Sequence, residues 1–204
     1  MPATKATPSP RPPRADAVRN REAVLDAARK VMSDEGLDAG MDDIARAAKV
    51  GVGTVYRHFP TKDDLIAALA DYRFEKLAEF ARDSLEEEDP VAAFDRFIMR
   101  GGELQATDRA LAQVMSERGE LMSVAANRVG MLELTTKVLK RAQKAGAIRS
   151  DIRPEDIPMF MCGLGSLTSG HAAPFRGPNS WKRYLGIVLD GMRAGAGTNL
   201  PPHS

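Results

Sequence analysis

The chain has 204 residues, 43% of them hydrophobic, which is enough for one large or two small domains with a real core. Its 29 basic and 28 acidic residues leave a formal net charge of +1, which excludes a protein that coats polyanions by bulk charge and leaves local basic surface open. Cys162 is the single cysteine, so a disulfide within the chain and a thiolate-rich metal site are excluded, and a reducing, cytoplasmic setting is expected.

No stretch reaches the ~18 uninterrupted apolar residues of a membrane span. The N-terminus lacks the apolar core of a secretory signal. β-branched residues rarely alternate with polar ones, while helical spacing recurs throughout. The expected class is all-α, with about nine helices.

Residues 1–16 carry Pro2, Pro8, Pro10, Pro12 and Pro13 and read as a disordered arm. Arg11 and Arg14, with Arg19 just behind, suit either a soluble tail or contact with a DNA backbone or minor groove. Residues 17–61 form the first folded unit. A helix from Ala17 to Glu35 has Val24, Leu25, Ala28, Val31 and Met32 on one stripe, and Gly36 stops it. A second helix, Met41 to Ala48, starts after Gly40 with Asp42 and Asp43 in its positive first turn. Lys49-Val50-Gly51 makes a turn. A third helix, Val52 to Phe59, buries Val55 and Phe59 and leaves Thr54, Tyr56, Arg57 and His58 facing out, a dense set of hydrogen-bond donors. Pro60 ends it, and Thr61 is placed to cap the next helix.

Residues 62–195 are expected to form a second helical region, with 196–204 a flexible tail. A long helix from Lys62 to Leu85 links the two units, and an acidic loop follows at Glu86–Asp89. Helices are expected over Val91–Ala106 and Arg109–Arg118. A single long helix is expected over Glu120–Ala145, apolar around most of its circumference and therefore central. Glu155–Gly170 mixes Met161, Leu164 and Leu167 with small residues. Ser180–Ala194 carries Trp181, Tyr184, Leu185, Val188 and Met192 on one side. In a monomer these apolar sides would be a large exposed patch; two copies across a two-fold axis would bury it in a four-helix bundle.

The run DDIARAAKVGVGTVYRHFPTK, Asp42 to Lys62, with its Y-x-H-F-x-x-K ending, resembles the helix–turn–helix of tetracycline-repressor-type (TetR family) regulators. The likeness covers roughly Glu22 to Leu69, and the rest matches in helix order only. It implies a homodimer presenting two such units to successive major grooves of a pseudo-palindromic double-stranded DNA operator. By position it gives Thr54, Tyr56 and His58 as DNA contacts, with Lys62 on phosphate. Arg57 suits a phosphate or a guanine edge. Val52, with Gly53 beside it, suits a thymine methyl. Gly51 and Val52 depart from the more polar residues often found there, so the helix looks better equipped to hold a backbone than to read many bases.

The resemblance also implies a small-molecule pocket in the second region. Phe94, Phe97, Met115, Met122 and Leu132 are candidate lining, with Arg100 and Arg128 as candidate polar groups. The same residues equally fit an ordinary core and helix-pair salt bridges, and the sequence leaves this open. The function expected is a ligand-released dimeric repressor, with no cofactor or metal and no membrane partner. The alternatives are a dimeric regulator without a small ligand, or a helical enzyme carrying a helix–turn–helix-like unit.

Overall fold

The computed structural model describes residues 13–108, 114, 118–169, 177, 179–195 and 198–201, without the side chains of 13–15 and 166–169. These residues hold nine helices: α1 Pro13–Glu35, α2 Met41–Ala48, α3 Val52–His58, α4 Lys62–Glu86, α5 Pro90–Thr107, α6 Gly119–Arg128, α7 Met131–Lys144, α8 Asp156–Ser169 and α9 Ser180–Met192. The all-α class is therefore as expected. Among the described residues the only extended pairing is an isolated bridge between Ile148 and Arg193.

The helix starts follow from local chemistry. Gly40 enters α2 in extended backbone, with Asp42 and Asp43 in the first turn. Thr61 and Asp64 form a reciprocal capping box on α4: the Thr61 hydroxyl accepts from the Asp64 amide at 3.1 Å, and the Asp64 carboxylate accepts from the Thr61 amide at 2.9 Å. Such a cap is worth about 1 kcal/mol. Asp89 accepts from the amides of Val91 and Ala92, with Pro90 at the first helical position of α5. At the far end of α4 and in the loop after it, Arg141 of α7 donates to the carbonyls of Ser84, Leu85, Glu87 and Glu88. That guanidinium satisfies carbonyls that the helix end leaves without partners. The turn between α2 and α3 places Lys49 at φ 57°, the one left-handed non-glycine residue described. That conformation costs roughly 1–2 kcal/mol, offset here by its amide bonding back to Ala45 and Arg46.

Two cores share α4. The front core gathers Val24, Ala28, Met32, Ile44, Val55 and Phe59 around Leu65, Ile66 and Leu69 of α4, and also takes in Met122 and Ala125 of α6. It thus runs past residue 61 into the second region. The rear core joins Ala81 of α4 with Phe94 and Ile98 of α5, Leu139 of α7, Leu164 of α8 and Leu185 of α9.

Four expectations differ from the structure. Helix α1 begins at Pro13, not Ala17, because a proline is tolerated in a first turn. The single helix over 120–145 is two: Gly130 adopts φ 65°, its amide bonds to the Asn127 carbonyl, and the chain restarts as α7. Neither half is wrapped on all sides, since Val124 and Leu132 are exposed. The tail after Gly195 is anchored where it is described: Arg149 donates to the Thr198 carbonyl and the Leu200 amide donates to Asp151. The helix expected over 109–118 lies almost wholly outside the described residues, as does the arm before Pro13.

Candidate nucleic-acid interface and ligand chamber

Helix α3 is short and stands on the front core by Val55 and Phe59, both buried. Val55 and Phe59 fix which face turns outward. Val52, Gly53, Tyr56 and Arg57 are exposed; Thr54, His58 and Lys62 are half-buried beside them. Tyr56 keeps 48% of its surface open. The seven residues assigned to DNA from the sequence therefore surround the side that Val55 and Phe59 bury, four of them exposed and three half-buried. Arg21 of α1 adds a further cation at its edge, with its guanidinium 5.5 Å from the Phe59 ring centroid. The ring fixes that side chain near α3, a placement that sequence spacing alone does not give.

Behind this unit lies a chamber of about 330 Å³ between α4, α5, α6, α7 and α8. Its rim is exposed: Gly119, Ser123, Leu132, Pro158 and Cys162. Its deeper wall is Phe97 and Gly101 of α5, Met122 of α6, Thr135 of α7 and Ile157 of α8. Phe97, Met122 and Leu132 were expected there and are there. Phe94 is not, because it is fully buried in the rear core. Arg100 turns outward to Asp83 at 3.1 Å and stacks over Phe80, and Arg128 pairs with Asp71 on the surface. Met115 lies outside the described residues.

Sequence reasoning passed over the most unusual chamber residue, Arg73. It is only 3% exposed. One guanidinium nitrogen donates to Oε1 of Gln105, and the other, Nη1, has no partner among the described residues. Burial pushes its pKa down to about 10, partly opposed by the Asp108 carboxylate nearby. Asp108 is itself buried and accepts from Nε of Arg29 on α1 at 3.0 Å. A readable signal did exist: Arg73 continues the inward stripe Ile66, Leu69, and Gln105 likewise follows Phe94, Ile98 and Gly101 at helical spacing. Gln105 is held by a close approach, since a Cβ at Gly165 would come within 2.2 Å of its side-chain nitrogen.

Helices α8 and α9 present two apolar sides. Leu164, Leu185 and Met192, expected at a dimer interface, are instead buried within the chain's own rear core. Met161 lines the chamber, and Trp181, Tyr184 and Val188 are half-buried. Leu167 has no described side chain. The outward side carries Met159 at 65% and Ile187 at 63% exposure, with Val188 and Gly191 beside Ile187. Ile187 follows Tyr184 and precedes Gly191 at helical spacing, a second stripe masked by the more regular Leu185, Leu189, Met192 set.

Residues 24–69 match the family described as bacterial regulatory proteins, tetR family, and residues 89–194 match the transcriptional regulator SbtR-like C-terminal domain. The chain is 28% identical over 211 residues to the HTH-type transcriptional repressor KstR2 of Rhodococcus jostii, covering 91% of this chain and 97% of that one. It is 39% identical over 74 residues to the repressor LfrR of Mycolicibacterium smegmatis, a match that spans 36% of each protein. The crystal structure of a TetR transcription regulatory protein from Mycobacterium vanbaalenii superposes with a TM-score of 0.65 at 34% identity, covering 89% of this chain and 99% of that one.

Proposed function

We propose a mechanism from the premise that this chain belongs to the tetR family of bacterial regulatory proteins: a DNA-binding repressor that acts as a homodimer and releases its operator when a small molecule fills the chamber. The exposed ridge of α3 enters a major groove. Tyr56, His58 and Lys62 take phosphate oxygens and set register, while Arg57 and Val52 are the side chains suited to base edges. The N-terminal arm, through Arg11, and Arg14 at the start of α1 are the remaining candidates for DNA contact. The outward side of α8 and α9, centred on Met159 and Ile187, takes a second copy and fixes the spacing of two α3 ridges.

One observation carries the ligand response. Met122 belongs at once to the front core that seats α3 and to the chamber wall. A molecule that displaces α6 to fit the chamber therefore alters packing under the DNA-binding unit. The Arg29–Asp108 pair ties α1 to the end of α5 in the same place. A ligand acts only through its different affinity for the two spacings. An open chamber favours this reading over a dimeric regulator without a ligand.

Selection of bound sites from random DNA tests the DNA half of this mechanism. Inverted half-sites about one helical turn apart, or a multiple of that, are expected. A single asymmetric half-site, with one chain bound per duplex, would rule out the dimeric mode.

A further inference from the structure

We propose that the chamber takes a small, largely apolar molecule bearing one carboxylate, and that Arg73 binds that carboxylate. This rests on the chamber being the regulatory site. The charges argue for the class. Arg73 is a buried guanidinium, and the Asp108 carboxylate near it already accepts from the half-buried Arg29, which also faces Asp26 at 3.9 Å. Arg73 is nearly without exposure, and Nη1 finds no partner among the described residues. Leaving a buried charged donor unmatched is costly, and one ligand carboxylate would satisfy both the charge and the donor.

The rest of the lining sets the other end of the molecule. Phe74, Leu77, Phe97, Met122 and Ile157 are apolar, and among the described residues no Asp or Glu lines the chamber. A cationic ligand would meet Arg73 with nothing to balance it. A neutral one could accept from Nη1 through a carbonyl oxygen but would leave the buried charge unbalanced. A phosphate dianion would bring two charges to one buried guanidinium that has a single unpartnered nitrogen. The volume stands at the lower end of the usual range for ligand pockets, about 300–1,000 Å³, so a compact or short-chain acid fits best. Gln105, pinned against Gly165, holds the second guanidinium nitrogen and aims the group.

The test uses the full chain and calorimetric titration with hexanoic, decanoic and hydrocinnamic acids, the methyl ester of each, and hexyl phosphate. At least one acid is expected to bind about tenfold or more tightly than its ester, the size of one charge-assisted hydrogen bond. Arg73→Met should bring that ratio close to one. The acid–ester comparison in the unaltered protein needs no variant, so it decides even if Arg73→Met fails to fold. Equal binding of acids and esters, a ratio that survives Arg73→Met, or tighter binding of hexyl phosphate would each overturn the proposal. If no probe of any kind binds, the chamber is not a ligand site and both readings fall. If acids bind with the expected preference and affinity for the selected operator stays constant, the carboxylate site stands and ligand release is wrong.

Discussion

The front and rear of this molecule bury different chemistry. Every buried polar or charged residue described, Arg73, Ser84, Gln105, Asp108 and Thr135, lies beyond α3. From Val24 to Phe59 the buried residues are apolar without exception. An apolar interior has one good packing and no polar partners to exchange. A buried guanidinium, an amide and a carboxylate can exchange partners, including with a molecule that enters from outside. The contrast teaches a division of labour: a stiff platform that shows α3 in one orientation, and a polar-centred region with room to rearrange. Helix α4 carries both, Leu65 to Leu69 on one core and Ala81 on the other, with Arg73 between them.

Truncation gives the largest test of that contrast. Phe59→Ala removes a ring buried at the base of α3 and should cost about 3–5 kcal/mol, seen as a fall of roughly 10 °C in Tm. Leu132→Ala on the exposed chamber rim should stay within about 0.5 kcal/mol. Equal losses by differential scanning calorimetry would mean the two regions are packed alike and the division fails.

Association comes next. Ile187→Asp places a charge on the outward side of α9 and should weaken self-association about thirtyfold or more, while the isolated chain's helical content stays the same. Sedimentation across a concentration series measures it. An unchanged dimer would move the interface off this side of α8 and α9.

On the DNA side the expected effects are smaller and separable. Lys62→Ala should lower affinity for all sequences and reduce the slope of log K against log salt by about 1, because one cation no longer displaces a counterion. Tyr56→Phe removes a neutral donor, so affinity falls for all sequences and the slope stays. If both variants shift the slope equally, the ridge meets DNA in a different way.

The same contrast explains what the sequence made legible. In the front unit, apolar spacing, Gly36, the Asp42–Asp43 turn and the Thr61 cap agree, and the helices formed where the pattern put them, except that α1 begins four residues early, at Pro13. In the rear, burial depends on which helix faces which. Leu185 and Ile187 are both apolar on one helix, yet one is in the core and the other in the open, because only α5 and α8 decide which side is covered. Arg73 was passed over for a related reason: a charged residue on an apolar stripe reads as a surface group until packing shows that nothing else occupies the position. Gly130 was legible in principle, as a glycine following Asn127 and Arg128, but the apolar run on either side outweighed it.

The smallest expected effect tests the cause of the contrast. Arg73→Met keeps a long side chain of similar reach and removes the buried charge. It gives up the charge-assisted bond to Gln105, worth about 1.5–3 kcal/mol, and removes a desolvated cation whose burial opposes folding. The two nearly cancel, so Tm in the absence of ligand should be unchanged or a few degrees higher. The pH dependence has a fixed sign. Arg73 titrates lower in the fold, near 10, than in the unfolded chain, so above about pH 10 the unfolded state holds more protons and the wild-type gains stability as pH rises. Arg73→Met lacks that gain, so any advantage it has at neutral pH should shrink in alkaline buffer. A variant several degrees less stable at neutral pH would show that Arg73 is satisfied as it stands, and the chamber would then have no unmatched charge for a ligand to meet.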